Sequence, residues 1–147
     1  GYAGDDRRPC RCTPAQVHRY RNRLSGPLRD RIDLIVDVPA VPAALLTDAP
    51  SGEPSASARA RVLAARARQV ERGYGLNVEL RPGTLRKYCQ LDGAGRALIR
   101  QAIDALGLSA RAYHRVLKVA RTVADLAAVE AVHADHVAEA LQYRLIE

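Results

Sequence analysis

Apolar residues change their period along the chain. From Ile32 to Val38, the apolar residues Ile32, Leu34, Val36 and Val38 alternate with Asp33, Ile35 and Asp37. This period of two predicts a strand, closed by Pro39. Ahead of it, Thr13-Pro14-Ala15-Gln16 predicts a helix start. Thr caps, Pro fits the first helical position and Gln completes a capping box. That helix runs to about Leu24, where Ser25-Gly26-Pro27 stops it, and its apolar positions (Val17, Tyr20, Leu24) are sparse. Residues 39–58, with Pro39, Pro42, Pro50 and Pro54, read as a linker or long loop. Beyond residue 58 the period is helical. A helix over 59–72 sets Leu63, Ala67 and Val70 on one face and ends at Gly73 and Gly75. A short helix follows over 84–90. A longer one over 92–106 aligns Leu98, Ala102 and Ala105 and ends at Gly107. Ser109 caps a helix reaching about Ala127, whose apolar stripe includes Tyr113, Val116, Leu117, Ala120 and Ala124. The last helix spans about 134–143.

The expected fold is therefore mostly α. A bundle of about five helices occupies 59–147, preceded over 1–38 by a remnant of an α/β core with one helix and one strand. A lone strand leaves its backbone groups unsatisfied, so its partners are expected upstream, in a longer parent. The absence of Met from the sequence points the same way. A composition of 48% hydrophobic and 27% charged residues is that of a globular protein, not a disordered one. Without Met, Trp or Phe, the core must be built from Leu, Val, Ile and Ala. No apolar run approaches the ~18 residues of a membrane-spanning helix.

Charge is unevenly spread. Residues 7–31 hold eight arginines against the single acid Asp30, an excess equal to the +7 of the whole chain. Such a segment suggests a polyanion or phosphate partner, with Arg19, Arg21 and Arg23 as candidate nucleic-acid contacts. Arginines that merely solvate helix faces would give the same count. Cys10-x-Cys12 is tighter than a usual zinc half-site and no second pair follows, so no metal site is expected within the chain. His133 and His136 could share a helix face, and a structural or surface role is expected for them. Neither G-x-x-x-x-G-K-[ST] nor G-x-G-x-x-G is present.

Two arginines stand out. Arg111 lies in the first turn of the Ser109 helix, where the macrodipole and free N–H groups disfavour a cation unless an anion binds. A guanidinium at that end is a phosphate receptor, and Arg115 and Lys118 continue the same face. Arg31 follows Leu28-Arg29-Asp30 immediately before the expected strand. From there a guanidinium can reach across a subunit boundary to a transferring phosphoryl group. The plainer alternative is a surface ion pair with Asp30 or Asp33, worth ~0–1 kcal/mol.

Three stretches, from Cys12 to Leu34, from Leu106 to Leu126 and from His136 to Arg144, resemble the magnesium-chelatase-like AAA+ ATPases of the ComM/YifB competence group. They lie in order and at similar spacing. The resemblance implies a parent with a Lon-protease-like domain, an AAA+ core and a C-terminal helical lid, of which this chain is the end of the core (1–38), a linker (39–58) and the lid (59–147). It implies that Arg31, in Asp-Arg-Ile-Asp, is the arginine finger acting in trans, and that Arg111, in Leu-Ser-Ala-Arg, is the sensor-2 arginine, with Arg115 beside it at the nucleotide. It further implies ATP and Mg²⁺ as cofactors of the parent, neighbouring protomers of a homo-hexameric ring and DNA as partners, and a cytoplasmic location. The parent's expected activity is ATP-driven DNA remodelling, such as branch migration in natural transformation. This chain, lacking the Walker motifs, is expected to be inactive alone. Arg29 departs from the Leu common in the family, and His133 from its usual Ser or Thr. Members often carry a second Cys-x-Cys upstream, which would make Cys10 and Cys12 half of a four-cysteine cluster in the parent. A stand-alone nucleic-acid-binding helical module and an ATPase that drives Mg²⁺ insertion into a porphyrin are the alternative functions.

Overall fold

The computed structural model describes residues 1–5, 8–47 and 52–144. It is helical almost throughout and divides into two units. One comprises Gly1–Ile32 with Asp37–Pro50, the other Asp33–Val36 with Ser51–Glu147.

In the first unit, helix α1 spans Pro14–Arg21. The expected capping box is in place: the Gln16 N–H donates to Thr13 Oγ1 at 3.3 Å, and the Thr13 N–H donates to Gln16 Oε1 at 2.8 Å. Ser25-Gly26-Pro27 does more than stop this helix. Ser25 accepts from the Leu28 N–H and starts a one-turn helix, α2, over Gly26–Arg29. Ser as cap and Pro in the first turn are start signals as well as breakers. Helix α3, Ala43–Thr47, lies inside the segment expected to be a linker; residues 48–51 of that segment lie outside the described residues. Neither α1 nor α2 buries a residue.

Among its described residues the second unit holds five α-helices: α4 (Ser55–Glu71), α5 (Pro82–Tyr88), α6 (Gly93–Leu106), α7 (Ala110–Leu126) and α8 (Ala134–Gln142), with a 3-10 turn at Asn77–Glu79. Helix α7 is central and packs against α4, α5, α8 and the 3-10 turn. Its Val116, Leu117, Ala120 and Ala124 join Leu85, Ile99, Val132, Val137 and Leu141 in one core. Burying each of the larger aliphatic side chains contributes about 1.5–3 kcal/mol. Ala120, Ala124 and Ala140 are almost fully buried, and such small residues let helices approach closely. Both ends of α6 are fixed by sequence. Asp92 accepts from the Gly95 N–H at 2.6 Å, and Gly107 closes the helix at φ +60°, a conformation that suits glycine. At the start of α8 the His133 N–H donates to the His136 ring, while the His133 ring lies 3.2 Å from Asp92. The two histidines thus join the starts of α6 and α8.

One expectation is corrected. Ile32–Val38 forms no strand; the one bridge among the described residues is a parallel pairing of Leu91 with Val132. The Ile35 N–H donates to the Tyr143 carbonyl at 3.0 Å. Alternation makes a strand only where a neighbour offers a ladder of acceptors, and a helix end offers one. In α4, Leu63, Ala67 and Val70 share one face as expected, and that face is turned to solvent, while Ala65 and Gln69 face the core.

Candidate functional site

The candidate arginines fall into two groups, one in each unit. In the second unit, Ser109 ends an extended segment and accepts the Ala112 N–H at 3.1 Å, fixing the start of α7. The first-turn N–H groups of a helix have no intrahelical acceptor and carry the positive end of its dipole. Arg111 stands there, exposed, and its side chain makes no hydrogen bond or ion pair with the described residues. One turn on, Arg115 forms an ion pair with Asp33, and its Nε is buried with no partner. Lys118, the third cation of this face, donates to the Val78 carbonyl at 2.6 Å. The three therefore differ: Arg111 is available to a ligand, Arg115 is half engaged, and Lys118 serves the fold.

In the first unit, Arg31 follows α2, where its N–H donates to the Leu28 carbonyl at 3.0 Å. Its side chain is exposed and has no partner among the described residues. Asp33, one of its expected surface partners, pairs with Arg115 instead. Arg19, Arg21 and Arg23 line an open cleft of about 570 Å³ together with Tyr20. The Arg23 guanidinium lies 5.5 Å above the exposed Tyr20 ring. Arg7 lies outside the described residues. Cys10 and Cys12 line the same cleft. Backbone N–H groups, that of Cys12 first and then that of Tyr2, hold the Cys10 thiol below its ordinary pKa. Among the described residues no group of three or more His, Cys, Asp or Glu side chains could hold a metal ion.

The sequence reading missed the most buried charges. Arg121 is 2% exposed and Asp125 fully buried, both on the core face of α7. Asp125 accepts from Arg72, from the Asn77 amide at 2.8 Å and from Arg121 Nε at 3.1 Å. Arg121 also donates to the carbonyls of Val129 and Glu130, which fastens the turn after α7. Burial pushes the Arg121 pKa down, while Asp125 raises that of Arg72. The signal was present: Arg121 and Asp125 follow Leu117 and Ala120 at helical spacing, so an i,i+4 pair of opposite sign falls on the apolar stripe. Nearby, Cys89 is buried and its thiol is pushed up to about 11 by burial.

Comparison with known proteins agrees with this architecture. The family described as magnesium chelatase, subunit ChlI C-terminal, matches residues 52–144, and that described as magnesium chelatase, subunit ChlI, matches residues 1–46. The chain is 44% identical over 138 residues to YifB of Salmonella typhimurium, covering 93% of this chain and 27% of the relative. It is 44% identical over 135 residues to competence protein ComM of Haemophilus influenzae, covering 91% of this chain and 26% of the relative. YifB of Escherichia coli is 43% identical over 138 residues, with 93% and 27% covered. The chain thus spans about a quarter of the length of these relatives. No helix among the described residues is long and apolar enough to cross a membrane. The chain belongs to the magnesium chelatase subunit ChlI family and is of the ComM/YifB type.

Proposed function

We propose that the chain is the C-terminal part of a ring-forming AAA+ ATPase and supplies two phosphate-directed arginines, Arg111 from the helical unit and Arg31 from the first unit. The observation that carries this reading is Arg111: an exposed guanidinium without a partner among the described residues, in the first turn of a 17-residue helix. The helix dipole disfavours a cation there, and a bound phosphate reverses the sign of that interaction. The phosphates of ATP fit the donor chemistry of this end, because guanidinium and backbone N–H groups both donate and neither accepts, and the accompanying Mg²⁺ would be held by the phosphates and by oxygen ligands outside this helix end. When bound, ATP supplies the phosphoryl group that is transferred. Arg111 holds its phosphates from the lid of the same protomer. Arg115, once released from Asp33, adds a second guanidinium. Arg31 acts on the neighbouring protomer's nucleotide, where charge develops on the transferring group.

Work on DNA, such as branch migration by a hexamer in the cytoplasm, is the coupled activity we favour, because one of the relatives is named a competence protein. The test is ATP turnover by the protein that carries this chain together with its nucleotide core. Arg111→Ala lowers turnover roughly 10–1000-fold on this reading; unchanged turnover and unchanged KM overturn it.

A second reading is direct nucleic-acid binding by the first unit. It is favoured by the cleft that Arg19, Arg21 and Arg23 line with an exposed Tyr20, since guanidinium groups take phosphates and an aromatic ring takes a base. Binding of single-stranded DNA that weakens steeply with salt, and further on Tyr20→Ala, supports it. No binding at low salt removes it.

A further inference from the structure

Helix α4 turns its most apolar residues to solvent. Leu63 and Val70 are 60% and 62% exposed. At helical spacing they share one stripe with Ala67. Arg59 and Arg66 border that stripe on one side. Arg66 also lines a groove of about 270 Å³ between α4, the 3-10 turn and α7, whose walls are mainly apolar (Val62, Leu76, Val78 and Leu126), with Gln69, Asn77 and Thr122 as polar members. The outer surface of α4 therefore runs from apolar stripe to arginine pair to apolar groove.

Both arginines are exposed, and neither makes a hydrogen bond or ion pair with the described residues. The carboxylate of Glu53, at the start of α4, is taken by Arg61. The basic 8–31 segment, with Asp30 as its single acid, has the same net sign as Arg59 and Arg66. A nucleic acid would pair with the arginines but gain nothing from covering Leu63 and Val70, since phosphate contacts reward cations alone. A partner with carboxylates between apolar side chains satisfies both parts of the surface.

We propose that this face of α4 docks an acidic amphipathic helix of a partner protein. Apolar side chains of that helix cover Leu63 and Val70 and enter the groove beside Val62, while its carboxylates pair with Arg59 and Arg66.

The chain contains no Trp, so a Trp-bearing peptide reports binding without background. The probe is a synthetic helical peptide with Leu at i, i+4 and i+7, Glu on the flanks and one Trp. Its control carries Lys in place of Glu. The expected result is saturable binding of the Glu peptide near ~10 μM and at least about tenfold weaker binding of the Lys peptide. Leu63→Asp costs at least about tenfold in affinity for the Glu peptide. The double variant Arg59→Glu, Arg66→Glu prefers the Lys peptide. All three positions are exposed, and unchanged circular dichroism confirms that the variants fold. Equal binding of both peptides, or no loss on Leu63→Asp, overturns the proposal. So does self-association abolished by Leu63→Asp, which assigns the face to a second copy. Binding of phosphatidylglycerol vesicles or duplex DNA, without the Glu peptide, also overturns it.

Discussion

Arg72 and Asp125, 53 residues apart, form a two-pronged ion pair, with Nη1 2.7 Å from Oδ1 and Nη2 2.5 Å from Oδ2. The pair joins the end of α4 to the end of α7. Asp125 also receives Arg121, so one buried carboxylate balances two guanidiniums. Removing it leaves buried charge uncompensated, a strongly destabilising change. Asp125→Asn is expected to lower unfolding stability by about 3–5 kcal/mol, and Arg72→Met by less, because Arg72 is at the edge of the cluster. Urea unfolding followed by circular dichroism measures both. A loss below ~1 kcal/mol for Asp125→Asn contradicts the assignment of this cluster as the clamp between the helices.

The thiols divide by environment. Burial pushes Cys89 up to about 11, whereas backbone N–H groups hold Cys10 below its ordinary value. At neutral pH a thiol reagent labels Cys10 first and leaves Cys89 unlabelled until the protein unfolds. The folded state holds the Cys89 proton more tightly than the unfolded chain does. Its contribution is fully present below the unfolded thiol pKa of about 8.5 and is lost as pH rises to about 11. The melting temperature of the wild type should therefore fall more steeply over that window than that of Cys89→Ala. Parallel pH profiles, or early labelling of Cys89, contradict this.

Asp33 competes for Arg115 with any anion at the start of α7. The pair is partly exposed, so Asp33→Ala should change stability by only ~0–1 kcal/mol. It should also free Arg115 and raise the affinity of the chain for tripolyphosphate a few-fold, while Arg111→Ala lowers it. Calorimetry at low salt reads both effects. Identical affinities for wild type, Asp33→Ala and Arg111→Ala contradict a phosphate role for this end of the helix.

The helix ends were legible because their signals are local. Thr13 with Gln16, Asp92, Gly107 and Ser109 set helix ends through contacts within a few residues, and the stripe of α7 follows from its period alone. Three features were hidden because they depend on what lies opposite. Ile32–Val38 has strand alternation but meets a helix end rather than a strand. The outward turn of Leu63 and Val70 is set by Arg72 and Gln69, which reach polar partners on α7 and in the 3-10 turn. Arg121 was hidden because a charge on an apolar stripe becomes intelligible only with Asp125 and the carbonyls of the following turn. At the candidate site, sequence placed Arg111 at a helix start. Only the structure separates it from Arg115, held by Asp33, and Lys118, held by Val78.

The central claim is that Arg111 and Arg31 serve one nucleotide from two protomers. The most direct test is ATP turnover by the protein carrying this chain with its nucleotide core, assembled from Arg31→Ala protomers, from Arg111→Ala protomers, and from an equal mixture. Each variant alone should be nearly inactive. In the mixture, a site is intact where an Arg31→Ala protomer supplies Arg111 and its neighbour supplies Arg31, so random assembly should restore about a quarter of the sites. Recovery of turnover towards that fraction is the predicted result; full activity of either variant alone, or a mixture no more active than its parts, contradicts the account.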